Sequence, residues 1–424
     1  MNKTRIRTGN HKKVLFFASI IIFAGIGITI ISLTKAASPT ASIQPEVGSL
    51  SRPEIKVDNA TASNAAAVKF SPAAQTTAMN IYYGSTHNHT GCCNDHGEDS
   101  TTPADIFSLA KQYNFNWLFL TEHTNPRSVG DPVTQAAMSN NPTNWFNSVK
   151  SQAVSTSTAS FVGFAGVETG DPGSNHMTIV NQDSFFFAEQ PADNINYVVS
   201  QRDGGNQLAL GGFNHPGANG HGGSSTSNIT TKSRQAVAFS GVHSGTTSSS
   251  RDVTSGLGSY IVHLDRGWRV GPSCELDGHG KFRLAEWGEA RADTCRNGVL
   301  APSLTRSNLN DAFSNRRFYT VRDTNTQIRY KANGQWMGSI IGKPSSINFE
   351  IDVSDPDTSN ANDKIKKIEI ISVGGAVVAS QTFDAHSVSW DPVVPVNNRK
   401  YFFLKIYNGS LTYHMGVTAP VWVE

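Results

Sequence analysis

The chain has 424 residues, more than one small core occupies and enough for a barrel plus an accessory domain. Hydrophobic residues make up 38% and charged residues 16%, which fits a globular protein light in charge. Six of the 35 Lys and Arg fall in residues 1–37, which hold no acid; the remainder carries 29 basic against 33 acidic residues and no basic stripe, so nucleic acid is excluded as the main partner.

At the N-terminus a basic stretch up to Lys13 precedes an uncharged apolar run from Val14 to Leu33, and small residues follow at Ala36 and Ala37. Residues 1–37 therefore read as an export signal or a membrane anchor; with the basic flank inside, the body lies outside the cytoplasm in either case. Membrane contact is expected only through this segment, where it is uncleaved. Residues 38–79 are rich in Ala, Ser, Thr and Pro and read as a flexible linker. Outside the cell an even count of cysteines favours disulfides, and adjacent Cys92 and Cys93 rarely bond each other, so both are expected to pair with Cys274 and Cys295, in either order.

From Asn80 to Thr324 short apolar runs alternate with helical segments, as in repeated βα units. Strands are expected at 81–85, 117–121, 161–167, 177–181, 208–213 and 236–240. Helices are expected at 103–113, with Thr102 as cap and Pro103 at the first helical position, and at 144–152, 257–268 and 306–317. After residue 324 the pattern changes to alternating strand-like segments separated by Gly, Pro, Asn and Asp turns. Residues 325–424 thus read as a small β-sandwich. Its acidic loop 352–358 reads as a solvated turn rather than a calcium site.

The chemistry lies at the ends of the expected strands. His87 and His89 sit two apart, so in extended backbone both point to one side and can reach one metal ion. The next strand ends at Thr121-Glu122-His123 and the one after at Glu168, with His176 following; another ends in Asn214-His215-Pro216, and Glu275-Leu-Asp277-Gly-His279 supplies a further carboxylate and imidazole. Active sites of α/β barrels form at this C-terminal rim. Imidazoles with carboxylates suit zinc, manganese or iron, and the thiolates of a structural zinc site are missing from the set.

The ordered series HxH, T-E-H, G-x-E, N-H, H-P and D-x-H resembles the PHP (polymerase and histidinol phosphatase) superfamily of phosphoesterases, and residues 80–340 are similar to its carbaryl-hydrolase-like branch. The runs 264–271, 296–299, 315–320 and 333–338 match its further motifs. The resemblance implies an α/β fold, a distorted (βα)7 TIM-like barrel over 80–324, holding two or three divalent ions (Zn, Mn or Fe). It implies that His87, His89, Glu168 and Asp277 bind one ion, that Glu168 bridges to a second held by His176 and His215, and that His123, His279 and a residue after the HxH motif hold a third. That residue is Asp95, with His96 as the alternative. Glu122 stands where Asp is usual and is expected to orient a ligand histidine.

Such a centre hydrolyses esters with a metal-activated hydroxide and no side-chain nucleophile. The expected function is an exported hydrolase of small-molecule or cell-envelope esters, phosphate mono- or diesters first and carboxyl or carbamate esters as the alternative. The rival from another class is a non-catalytic surface protein whose site has decayed. Arg269 and Arg296 are candidates for binding an anionic substrate and His243 for lining the rim. His221, in a Gly-rich loop, is a candidate for a mobile lid, and His263, inside a helix, for a structural role.

Overall fold

The computed structural model describes residues 55–58, 66–69, 78–90, 101–124, 141–171, 174–217, 221–244, 250–279, 295–409 and 415–424. The stretch expected as an export signal or membrane anchor, Cys92, Cys93, Asp95 and His96 lie outside these. Within the stretch expected as linker, β1 (Ile55–Asp58) pairs antiparallel with β2 (Ala66–Lys69). Residues 78–424 form one compact unit. Its first part contains β3 (Asn80–Ser85), β4 (Asn88–His89), β5 (Trp117–His123), β6 (Val162–Asp171), β7 (Ser174–Val180), β8 (Leu210–Phe213), β9 (Val237–Ser244), β10 (Gly271–Glu275), β11 (Gly278–His279), β12 (Arg296–Ala301) and β13 (Phe318–Val321). The helices are α1 (Pro103–Gln112), α2 (Pro142–Ser155), α3 (Pro191–Asp203), α4 (Thr231–Ala236), α5 (Ser250–Arg266) and α6 (Arg306–Ser314). Among the described residues no helix is long and apolar enough to cross a membrane.

The fold is mixed α/β. One sheet runs in the order β10-β9-β8-β7-β6-β5-β3-β12-β13. Strands β3, β5 and β6 are parallel neighbours, as are β8, β9 and β10; β7 lies antiparallel between the two sets. This departs from uniform βα alternation for a simple reason: two residues separate β6 from β7, enough for a hairpin and far too few for the crossover that parallel strands need.

Alternation within β5 shows how the sequence divides inside from outside. Trp117 and Phe119 pack with Phe164, Phe239 and Phe313 of α6, while Leu118 and Leu120 pack with Ile106, Phe107 and Ala110 of α1 and Phe146 and Val149 of α2. Helix α1 begins where expected: Thr102 accepts from Asp105 N–H in a capping box and Pro103 follows.

The edge strand β10 closes back on the β3 and β12 region through irregular contacts instead of a regular ladder. The Cys274 carbonyl accepts from Thr86 Oγ1 (2.9 Å) and from Asn297 Nδ2 (3.1 Å), while Asn297 Oδ1 accepts from Cys274 N–H (2.9 Å). Asp277 N–H donates to the His87 carbonyl (3.0 Å), and β11 pairs in parallel with β4, bringing His279 beside His89 in register. Cys274 and Cys295 form a disulfide across the same seam, their Cα atoms 5.8 Å apart. This corrects the expected pairing with Cys92 and Cys93: asparagine and carbonyl contacts already hold β10 against the start of β12, so these two sulfurs are nearest each other.

Beyond β13 the same sheet continues through 416–418, 401–407, 365–371 and 377–385, crossing the boundary expected at residue 324. A second sheet, containing 327–332 and 346–354, faces it. Ser346–Ser354 buries every second residue, and Ile347, Phe349, Ile351 and Val353 share a core with Ile368, Ile370, Phe402 and Leu404. Among the described residues after 325 there are short 3-10 turns and no α-helix.

Gly84 sits where β3 meets β5, and a Cβ there would lie 2.3 Å from the Trp117 carbonyl oxygen. Gly84→Ala should therefore cost about 3 kcal/mol or more, read from denaturant unfolding. The non-reducing peptide map should show a Cys274–Cys295 link. Replacing both by Ala, across a separation of 21 residues, should cost about 3 kcal/mol.

Candidate metal centre

The centre forms where β3, β5, β6, β8 and β10 end. After Ser85 the chain stays extended, so His87 and His89 turn to one side while Asn88 turns away and donates to the Phe119 carbonyl (3.1 Å). The two imidazoles are fully buried, with Nε2 atoms 2.8 Å apart. Glu168, on β6 and 1% exposed, reaches between them and the other histidines. Its backbone carbonyl is held by the N–H (2.9 Å) and hydroxyl (3.2 Å) of Thr124.

The two oxygens of Glu168 serve different neighbours. Oε2 lies 3.1 Å from His87 Nε2, 3.3 Å from His89 Nε2 and 3.1 Å from His123 Nδ1. Oε1 lies 3.1 Å from both His176 Nδ1 and His215 Nε2. Asp277 Oδ1 completes the first set at 3.4 Å from His87 Nε2 and 3.2 Å from His89 Nε2. Among the described residues, His87, His89, Glu168 and Asp277 form one group with the spacing of metal ligands, and Glu168, His176 and His215 form another. His123 stacks on His89, with ring centroids 4.4 Å apart.

A metal ion fits this donor set. A tetrahedral zinc with ligands at about 2.0–2.1 Å has edges of about 3.3 Å, close to the separations in the first group. Three ring nitrogens crowd Glu168 Oε2, yet none makes a hydrogen bond with it, although the atom is buried; a buried carboxylate oxygen without a donor calls for a cation. Burial holds His87 below the usual imidazole range, in the neutral form that ligates. Burial opposes ionisation of Glu168 and Asp277, but the surrounding imidazoles overcome it and hold both carboxyls well below their usual range. Burial would also lower His215, but the hydrogen bond and charge of Glu168 raise it to about 9. His215 and Asp277 both adopt left-handed backbone, with φ of 24° and 51°, an uncommon conformation for such residues that clusters at functional sites.

Several neighbours of these groups were not singled out from the sequence. Asn214 donates from Nδ2 to Glu168 Oε1 (2.9 Å) and accepts from Thr178 N–H (3.1 Å), so it orients the shared carboxylate. Glu275 accepts from His215 N–H at 2.5 Å, filling space left open by Gly241. A signal for Glu275 existed: it lies two residues before Asp277. Glu122, expected to orient a ligand histidine, accepts from Thr90 N–H (2.8 Å) and so holds the chain just after His89.

Not every expected site residue joins the cluster. Arg269 lies before β10, at the opposite end of that strand, where its guanidinium pairs with Glu424 (2.5 Å). Arg296 is 2% exposed and lies over the Phe115 ring at 3.7 Å, donating to the Cys295 carbonyl. His243, near the end of β9, is buried with Nδ1 3.0 Å from Thr320 Oγ1. The acids of the 352–358 loop and its surroundings also gather, but Asp323 accepts from the N–H groups of Asn325 and Thr326, and Asp355 from that of Asp357.

No family model matches the chain, and no curated protein does so. Among solved structures it is similar to a two-domain protein containing a predicted PHP-like metal-dependent phosphoesterase from Bacteroides vulgatus ATCC 8482. Identity is 15% over 81% of this chain and 96% of that one, with a TM-score of 0.41.

Burial raises Glu275 to about 8 in the metal-free protein, with Glu168 and Asp277 adding to the effect. From its ordinary value of 4.5 to about 8 the folded chain keeps a proton that the unfolded chain releases, so stability falls as pH rises through that window. Glu275→Gln cannot ionise and still offers an oxygen to His215 N–H. In melts of chelated protein its Tm should match the parent near pH 4.5 and exceed it increasingly towards pH 8. A pH-independent difference would refute this.

Proposed function

We propose that the protein is an exported metal-dependent hydrolase of ester bonds, with phosphate monoesters or diesters as its substrates. The observation that carries this is the division of Glu168: one oxygen faces His87 and His89, the other His176 and His215. A buried carboxylate shared between two ligand groups suits adjacent cations better than any structural site, which closes with fewer ligands. The ordered series of motifs supports placement in the PHP superfamily and its carbaryl-hydrolase-like branch. A buried disulfide fits an oxidising compartment outside the cytoplasm.

His87, His89, Glu168 and Asp277 would hold one divalent ion and Glu168, His176 and His215 a second. Asp95, outside the described residues, would complete a third with His123 and His279. Ions bound there supply Lewis acidity, which activates water near neutral pH and neutralises charge on the ester oxygens. The chain's own residues prepare this. Neutral His87 offers a lone pair, and ionised Glu168 and Asp277 offset positive charge. Asn214 fixes which oxygen of Glu168 faces which group. Asp277 is the most open member of the first group, its side chain 28% exposed, and His215 of the second, at 40%. These two residues mark the side from which substrate approaches.

Elemental mass spectrometry of the purified protein should find about two to three equivalents of Zn, Mn or Fe. His87→Ala with His89→Ala should deplete them and lower phosphoesterase turnover by more than about 100-fold. Chelation should abolish turnover and metal restore it. Turnover of carboxyl or carbamate esters alone would shift the substrate class. A protein that takes up none of these metals would defeat the proposal.

A further inference from the structure

Behind the second ligand group lie two buried histidines that contribute no ligand atom to it, His221 and His263, 2% and 0% exposed. His221 starts a 3-10 turn at 222–224, and its ring packs beside Phe213 at 5.0 Å. Gly223 N–H donates to His221 Nδ1 at 3.1 Å. Because Nδ1 accepts, the proton of the neutral ring is on Nε2, which donates to the His176 carbonyl at 3.0 Å. The backbone N–H of His221 donates to His263 Nε2 (3.1 Å), so His263 carries its proton on Nδ1 and donates to Ser240 Oγ (2.9 Å). Hydrogen bonds thus run from β9, through α5, to the backbone of His176. The same carbonyl accepts from Asn214 N–H (3.0 Å), and the Asn214 side chain holds Glu168.

We infer that His221 is a positioning residue for the second ligand group, setting the backbone of His176 so that its ring meets Glu168 Oε1. The inference rests on the proposed metal centre and deepens it. It replaces the sequence expectation of a mobile lid: His221 is buried and hydrogen-bonded through both ring nitrogens.

Two substitutions separate positioning from mere support of the turn. His221→Asn keeps an oxygen near the place of Nδ1, able to accept from Gly223, but is too short to reach the His176 carbonyl. His221→Gln extends an amide N–H towards that carbonyl and gives up the acceptor for Gly223. Mn²⁺ is titrated calorimetrically into the metal-free parent and both variants, and hydrogen exchange over residues 174–180 is followed without metal. His221→Asn should weaken the second ion by about 10- to 100-fold and speed exchange, while His221→Gln stays within about threefold of the parent. Parent-like behaviour of His221→Asn, or equal losses in both variants, would overturn the inference. A parent that binds no metal would defeat the proposed function instead, and hydrogen exchange would then decide the positioning role alone.

Discussion

Everything at the mouth of this sheet is arranged around one desolvated carboxylate. Glu168 is almost completely buried, and an ionised group there is tolerated only if the protein surrounds it with compensating charge and donors. Five imidazoles approach it within 3.3 Å, and Asn214 adds a hydrogen bond to one oxygen. Because the oxygens face different partners, the carboxylate divides the histidines into two sets. Removing it would leave neighbouring imidazoles facing one another with nothing between them.

Such a cluster demands a stiff frame, because several of its members come from different strands. At one place, where β10 meets β3, this frame has no regular ladder. There the protein uses discrete contacts: the Cys274 carbonyl shared by Thr86 and Asn297, the Cys274–Cys295 disulfide, and the short β4–β11 pairing. Each lies within a few residues of His87, His89 or Asp277. Closing the seam and setting the first ligand group are therefore one structural task. The left-handed backbone of Asp277 follows directly, since the chain must turn sharply after β10 to lay its carboxylate beside the two histidines.

The far end of the sheet is secured by arginines. Arg316, itself left-handed and buried, donates to the carbonyls of Arg269, Arg234 and Val237, gathering the end of α4 and the approach to β10 under α6. Arg317 pairs with Asp311, and Arg269 with Glu424. A guanidinium with several fixed donors satisfies clustered carbonyls that no single backbone strand could reach. The motif at 315–320 therefore holds the frame, its arginines paired with backbone carbonyls and with Asp311.

Much of the centre was legible in the residues alone. Spacing by two placed His87 and His89 on one side, and the recurrence of His, Glu and Asp at strand ends selected His123, Glu168, His176, His215 and Asp277. Periodicity also marked β5, β6 and α1, whose Thr102 cap and Pro103 start are local signals requiring no partner. Tertiary structure decided what depends on distant neighbours. Nothing local distinguishes Arg296, stacked on Phe115, from an arginine that binds an anion, or Cys295 as the partner of Cys274 rather than of Cys92 or Cys93. The antiparallel course of β7 and the continuation of the sheet beyond residue 324 depend on which edge each strand finds. The roles of Asn214, Glu275 and His221 exist only where separate segments meet, because a hydrogen bond is specified by position in space and a sequence specifies only order along the chain.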